Sequence, residues 1–306
     1  MPVPLLYAVV VLVWGSTWFA IKLQLGPVPE ELSVAYRFAL ASLCLFAFAR
    51  VRRQTLAIAR ADYLPVVLQG ALMYSIAYVL VYFGSRYITT GLIAVLYSSI
   101  VILNGALERL FYGRPVDRRL GMAAFVGLCG TVLVFWPEVS ALSLDDEALL
   151  GILWSLGSVL FAALGNMAAI RNTSRGIPVL LINAHGMAWG ALLSFSVVLV
   201  LGKPLTFSLQ PDYLVSLVYL SIFGSCIAFG AFIALLKQIG AGRASYVSVL
   251  FPIIALLIST VFEGYRWHPA AFAGVFLILA GNWLALSRVP ERPDTPTPKP
   301  TVPLRG

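Results

Sequence analysis

Charge is what this sequence has least of. Only 11% of its 306 residues are Asp, Glu, Lys or Arg, against about 25% in a soluble domain, so the chain lacks the polar surface it would need to stay in water. Cysteine is scarce as well. Three in a chain this long cannot staple a secreted scaffold, and Cys44, Cys129 and Cys226 lie in apolar runs, where they read as small core residues. The two histidines, His185 and His268, fall in different membrane layers, and there is no HExxH, no Cys/His cluster with metal spacing, no P-loop and no Rossmann glycine set. An intramembrane hydrolase would need paired carboxylates or a Ser/His pair at one depth, and neither is evident. The expectation is no enzyme, no metal or other cofactor, and no obligatory ATPase subunit.

What remains is apolar. Hydrophobic residues make up 60% of the chain, and its mean hydropathy is +0.91. A helix crossing the hydrocarbon needs about 20 mostly apolar residues. Uncharged runs of that kind occur at 2–21, 63–85, 88–107, 148–170, 213–236, 244–262 and 269–287. The run 32–49 qualifies with one charge, Arg37, the run 178–201 with His185, and 120–136 is slightly short but uncharged. The sequence therefore predicts an all-α integral membrane protein of ten transmembrane helices, one membrane domain over residues 1–289. The first run is too long and too weakly basic at its start for a cleaved signal peptide. Continuous rather than alternating runs exclude membrane β-strands. Turn residues fall between the runs, at Pro27 and Pro29, Gly113-Arg114-Pro115, Pro137, Pro178, Pro204, Pro211 and Pro269. Residues 290–306 hold six prolines and no apolar face, and read as a disordered cytoplasmic tail.

The net charge of +8 would suggest nucleic acid in a soluble protein; here it reflects basic loops on one side of a bilayer. Ten spans put both termini on one side. That side then collects sixteen of the 21 Lys and Arg residues, while the other has Lys22, Arg86, Lys203 and Arg266 plus the acidic 143–147 loop. Cytoplasmic loops are enriched in Lys and Arg, so both termini are expected in the cytoplasm.

Sliding the chain against itself by 151 residues aligns the third-to-fifth runs with the eighth-to-tenth without a gap. Gly91 falls on Gly242, Gly113 on Gly264 and Gly130 on Gly281, and from Leu64 to Leu133 there are twelve identities in seventy pairs. Each half, about 3–137 and 148–289, has five runs. Equivalent helices of an odd-numbered unit must run in opposite directions, which is the inverted-repeat plan of many secondary transporters. The alternative is two five-helix bundles alike only because apolar helices are alike.

Trp14-Gly15-Ser16-Thr17, Arg37-Phe38, Ala241-Gly242-Arg243-Ala244-Ser245, Phe251-Pro252 and Gly274 with Gly281 resemble the EamA-type ten-helix members of the drug/metabolite transporter superfamily. The resemblance runs from about Pro4 to Ser287. It departs at Gly113-Arg114-Pro115, where the family often has Gly-Glu-Arg, and at Ile100-Val101, where a proline is common. It implies a secondary transporter of a bacterial-type inner membrane that works by alternating access. It also implies a cavity enclosed by the first four helices of each half, with the fifth and tenth as scaffold and the fourth and ninth as gates. Among members, the bacterial exporters of aromatic amino acids look most similar.

Polar side chains inside spans are the first candidates for a solute site. Tyr74, Tyr78 and Tyr82, spaced by four, share one face of the third run, and Tyr97 sits at a similar depth in the fourth. Their rings could stack on an aromatic solute while the hydroxyls bond its polar end. Tyr82 suits an interfacial belt equally well, whereas Tyr74 and Tyr78 lie too deep for one. Under the repeat Tyr97 falls on Ser248. Pro252 leaves the Ser248 carbonyl without its helical partner, so Ser245, Ser248 and Pro252 offer a hinge, a substrate contact, or merely a bent helix whose serines bond their own backbone. Gly91 and Gly242 are candidate hinges beside Pro252. Arg37 would suit a carboxylate, although an arginine near a helix end more often snorkels to the interface. Glu108 could carry a proton but more readily forms a surface salt bridge beside Arg109. His185, with Trp189 four residues on, could titrate or bond between helices. Trp14 is cavity wall or plain packing. Gly186-x-x-x-Gly190 would allow close helix contact.

The reading is a transporter, expected as a monomer in lipid, that exports a small neutral or zwitterionic metabolite. The alternatives are another solute, such as a drug-like cation or a sugar conjugate, or a membrane-embedded enzyme or assembly subunit. The missing midplane carboxylate argues against a cation, and the missing acid–base pair or one-sided large loop against the last class. A fluorescent protein fused after Gly306 should fluoresce in a bacterial host while a periplasmic phosphatase fused there stays inactive; the opposite pattern would put the C-terminus outside.

Overall fold

The computed structural model describes all residues except 27, 116–117, 143–145, 263–266 and 287–306. Pro27, Gly264, Arg266 and the Pro-rich tail therefore lie outside the described residues, as does most of the acidic loop. No strand occurs among the described residues. The helices are α1 (Val3–Lys22), α2 (Glu30–Val51), α3 (Arg60–Gln69), α4 (Ala77–Gly84), α5 (Thr90–Ser98), α6 (Ile100–Tyr112), α7 (Arg118–Val134), α8 (Trp136–Ser140), α9 (Asp146–Ser174), α10 (Val179–Val200), α11 (Pro211–Tyr219), α12 (Ala228–Ile239), α13 (Ala241–Ala244), α14 (Val247–Phe262) and α15 (Pro269–Leu286). Every apolar run is helical. Eight stretches are long and apolar enough to cross a membrane, and the segment Pro269–Ala285 is a shorter apolar helix. The seventeen-residue α7 covers 120–134 of the short run at 120–136, and Trp136 begins α8.

Proline marks the starts. Pro29 and Pro178 precede α2 and α10, and Pro211 and Pro269 open α11 and α15, where a missing N–H costs nothing. Pro137 is the exception to the turn pattern: it sits in α8 rather than in a loop.

Four of the runs are not simple α-helices. A π-helical segment, Gly70–Ile76, joins α3 to α4, and a second, Leu220–Ile227, joins α11 to α12. Shifted by 151 residues, the first falls on 221–227, almost superimposed on the second. The fourth run breaks at Ser99 between α5 and α6, and the ninth at Ser245–Tyr246 between α13 and α14. Wide turns of this kind are uncommon and concentrate at functional sites.

Equivalent helices lie against each other and run in opposite directions. On α2 and α10, Leu32 clusters with Val198, joined by Val28 just before α2, while Ser42 donates to the Ala184 carbonyl at 2.8 Å. On α7 and α15, Gly130 meets the Gly274 carbonyl and Gly281 meets the Ala123 carbonyl. The remaining contacts follow the same exchange: α1 packs on α12 and α14, and α9 packs on α4, α5 and α6.

Small residues make these contacts possible. A Cβ on Gly70 would lie 2.2 Å from the Gly186 carbonyl oxygen, and one on Gly190 would lie 2.7 Å from the Tyr74 Cβ, so the Gly186/Gly190 stripe faces the first π segment.

Ion pairs occupy the two ends. At the arginine-rich end, Arg114 pairs with Glu108 at 2.6 Å, not Arg109 with Glu108, and Arg171 and Arg175 both reach Asp62, at 3.1 and 3.3 Å. At the other end Lys203 holds the fully buried Glu31 at 2.6 Å. Arg86 donates through Nε to Glu30 at 2.9 Å, and this bond raises its pKa above the ordinary value.

Gly274 sits where a side chain would strike the Gly130 carbonyl and Val134. Gly274→Leu should therefore prise α15 from α7 and destabilise the protein by about 1–3 kcal/mol, the cost of overpacking. Denaturant titration in detergent would read this; an unchanged midpoint would show that the two helices do not need the close approach.

Candidate functional site

Six of the ten helical runs, the first, third and fourth and the sixth, eighth and ninth, leave a cavity of about 110 Å³ between them. From the first half come Trp14, Thr17, Trp18 and Ile21 on α1, Met73 on the π segment, Ala77, Tyr78 and Val81 on α4, Tyr97 on α5 and Ile100 on α6. From the second come Ala162 and Asn166 on α9, Phe229 and Phe232 on α12, Ser245 after α13, and Val247, Ser248 and Phe251 on α14. Neither α7 nor α15 contributes, in line with their expected scaffold role. The expectation that the second helix of each half encloses the cavity does not hold, because α2 and α10 stand behind the lining.

The walls are rings held by rings. Trp14 meets Phe229 edge-on at 5.0 Å and Phe232 at 4.9 Å, and its Nε1 donates to the Gly224 carbonyl at 3.2 Å. Trp18 lies 6.2 Å from Tyr97 and 5.7 Å from Phe251. The Tyr97 hydroxyl bonds Ser158, whose own hydroxyl donates to the Ala77 carbonyl. The edge-to-face pairs, Trp14 with Phe229 and Trp18 with Tyr97, each add about 0.5–1.5 kcal/mol beyond burial and fix the rings in place.

A polar floor closes the chamber toward the arginine-rich end. Asn166 donates to the Asn104 Oδ1 at 3.4 Å, and the Asn104 amide donates to the Ser245 hydroxyl. One turn further, the Glu108 carboxylate accepts from the backbone N–H groups of Ala241, at 3.0 Å, and Gly242, at 3.4 Å. The Ser248 hydroxyl donates to the Ser245 carbonyl at 2.7 Å, which is the own-backbone bond expected of a serine in a bent helix. The Ser248 carbonyl that Pro252 leaves without its helical partner is met by the Ser98 hydroxyl of α5 at 3.5 Å. It therefore ties the two broken helices together.

Of the candidate residues, Trp14, Tyr78, Tyr97, Ser245 and Ser248 line the cavity, while Tyr74, Tyr82, Arg37, His185 and Trp189 do not. Tyr74 lies in the π segment and shares its ring neighbours Phe38 and Phe229 with Tyr78, but it is fully buried outside the lining. Its hydroxyl donates to the Asn183 Oδ1 at 2.6 Å. Tyr82 is fully buried and donates to Gln24 at 3.1 Å. His185 reaches the Leu56 carbonyl at 2.8 Å, and Trp189 donates to the Tyr63 hydroxyl at 3.1 Å, so both sit outside the cavity lining. Arg37 is 1% exposed and does not snorkel. Its Nε donates to Ser225 at 3.0 Å, and its guanidinium stacks 4.7 Å from the Tyr78 ring.

Sequence reasoning missed Phe229, Phe232 and Phe251, yet the repeat held the signal. A shift of 151 carries the lining residues Tyr78, Val81, Tyr97 and Ile100 onto Phe229, Phe232, Ser248 and Phe251, every one of which also lines the cavity. Trp18, four residues after Trp14, could have been found from helical spacing. Asn166 could not, since nothing in α9 sets it apart from other polar residues.

The EamA-like transporter family matches residues 1–136 and again 149–287. The chain belongs to that family. Similar curated proteins are the uncharacterized inner membrane transporter YedA of Escherichia coli K12, 27% identical over 83% of this chain and 80% of its own, and the uncharacterized transporter YoaV of Bacillus subtilis, 24% identical over 81% and 84%. Protein PagO of Salmonella typhimurium is 21% identical over 93% of this chain and 92% of its own. A crystal structure at 18% identity superposes with a TM-score of 0.80 over 93% of this chain and 96% of that one, a likeness of fold. The protein is thus a multi-pass membrane transporter of the drug/metabolite superfamily, not an enzyme.

Asn104 joins the floor from two sides. Asn104→Ala leaves buried partners on Asn166 and Ser245 unpaired, which costs about 1–3 kcal/mol. Unfolding in denaturing detergent should shift by that amount, and a neutral substitution would mean that water already satisfies the floor.

Proposed function

We propose that this transporter exports small neutral or zwitterionic metabolites, aromatic amino acids foremost, by alternating access through the central cavity. The observation that carries this reading is the composition of the lining: seven aromatic rings, four polar side chains and no charged residue. A cavity of about 110 Å³ is close to the size that takes one benzene ring. The aromatic walls suit a flat apolar body, and Thr17, Asn166, Ser245 and Ser248 offer bonds to a polar end without selecting a net charge.

The two halves act as inverted repeats that rock against each other. Three observations support this: the double family match, the antiparallel contacts of equivalent helices, and a lining drawn from equivalent positions. Opening toward the arginine-rich end requires the Glu108 carboxylate to release the start of α13 and Asn104 to release Ser245. Gly242 sits at the first of these contacts, with Leu120 against it, and Pro252 bends the helix that carries the second. Gly91, in α5, is the counterpart of Gly242. We assign the fourth and ninth runs as gates, both termini to the cytoplasm, and the membrane to the bacterial inner membrane. The solute and lipid are the expected partners, with no ATPase subunit, and the solute gradient supplies direction.

Purified protein in liposomes should exchange labelled phenylalanine. Ala162→Trp, which places an indole in the cavity, should reduce exchange at least about tenfold while the protein remains folded. Tyr78→Ala should cost several-fold, the value of a lost aromatic contact. Exchange of unrelated solutes but never of an aromatic amino acid would overturn the substrate, and full exchange by Ala162→Trp would overturn the cavity as the route.

A further inference from the structure

Arg37 is the one feature that the uncharged chamber does not use. It lies eight residues into α2, about 10 Å from the end of that helix at the helical rise, and is 1% exposed. A cation so placed is expensive unless paired. Among the described residues no carboxylate pairs with it. Its bonds are to neutral groups: Nε to the Ser225 hydroxyl at 3.0 Å and Nη2 to the Tyr78 hydroxyl at 3.5 Å, with the Tyr82 hydroxyl nearby. The rings of Tyr78 and Phe38 stand 4.7 and 5.2 Å from its central carbon. Its Nη1 is buried and makes no hydrogen bond. The surroundings have committed half the guanidinium fork and left the other half open.

The position of the fork relative to the cavity gives that openness a use. Tyr78 lies between Arg37 and the chamber, with its ring on the lining and the guanidinium against it. On the next face, Thr17, another lining residue, and the Arg37 Nη2 both press on Gly224: a Cβ there would meet them at 3.0 and 3.2 Å. A single side chain therefore separates the cation from the solute space. Arginine matches a carboxylate through two parallel N–H donors, and such pairs are about twice as strong as neutral hydrogen bonds.

We propose that Arg37 is the carboxylate subsite of this transporter, reached when the Tyr78 ring swings aside, so that its solutes are carboxylates with an apolar or aromatic body. The inference rests on the cavity's being the solute chamber and narrows the substrate class within it. Tyr78 then has two tasks. It screens the cation when the chamber is empty, and it yields the space to an anion whose remaining surface the aromatic walls cover. Amines and alcohols of the same shape lack the group that would displace the ring.

Benzoate and benzamide have the same shape and differ in charge, and either fits the chamber, so thermal unfolding of the purified full-length protein in detergent can weigh them directly. Binding to the folded state raises the midpoint. Benzoate should bind at least about tenfold more tightly than benzamide, and Arg37→Gln should bring the two to parity. Arg37→Lys should retain part of the preference. Equal binding of benzoate and benzamide by the unsubstituted protein would overturn the proposal whether or not either variant folds. Stabilisation by chloride as large as that by benzoate would overturn it too, by making Arg37 the seat of an inorganic counter-ion. Phenylalanine exchange without any preference for benzoate would sink this inference alone. A benzoate preference without phenylalanine exchange would leave it standing and remove the aromatic amino acids.

Discussion

Hydrocarbon offers no hydrogen bond, and most of this structure follows from that refusal. Each backbone N–H and C=O inside a bilayer has to be answered by protein, at several kcal/mol per group left over, so the chain is helical wherever it faces lipid. Irregular backbone is tolerated only where protein surrounds it. Both π segments and both helix breaks obey the rule. They lie on the third, fourth, eighth and ninth runs, four of the six that surround the cavity, where Asn104, Ser98 and Ser245 supply bonds that straight helices would not need. The same constraint explains why polar side chains inside the bundle come in linked sets. Asn172, Gln69, Tyr74 and Asn183 form one such chain, which joins α9, α3, the first π segment and α10.

Close approach of the helices is the complement of that rule. Lipid tails are as apolar as leucine, so burial alone does not hold two membrane helices together; contact area and polar bonds do. Gly70 against Gly186 and Gly130 against Gly274 bring backbones to a distance that no side chain would allow. Both contacts join one half of the chain to the other.

The helices themselves were legible in the sequence because membrane burial writes a coarse pattern: twenty apolar residues, a proline or glycine, a loop with or without arginine. Each run became helical close to its expected bounds, as with 178–201 and Val179–Val200, although four of them are interrupted by π segments or breaks. The site was less legible, for an identifiable reason. Helical spacing puts Tyr74 and Tyr78 on one face, and both do pack on Phe38 and Phe229, but spacing does not say how far along a face a cavity extends: Tyr74 bonds Asn183 while Tyr78 keeps the cavity. Arg37 misled in another way. Its distance from the helix end suggested an escape to the interface, but Phe38, Tyr78 and Ser225 enclose it. His185 and Trp189 looked central by depth, but depth does not say which side of a helix faces inward.

The lining pairs Tyr78 with Phe229 and Tyr97 with Ser248, equal places occupied by unequal chemistry. A backbone with near-twofold balance would treat a visitor alike from either compartment. These exchanges remove the balance: one flank keeps both phenols, and the other keeps a bare ring and a small alcohol. On the proposed route through the cavity, a guest with a polar and an oily pole is thus given a preferred heading inside a frame that has none, and the handedness of passage becomes a matter of side chains added to an indifferent scaffold.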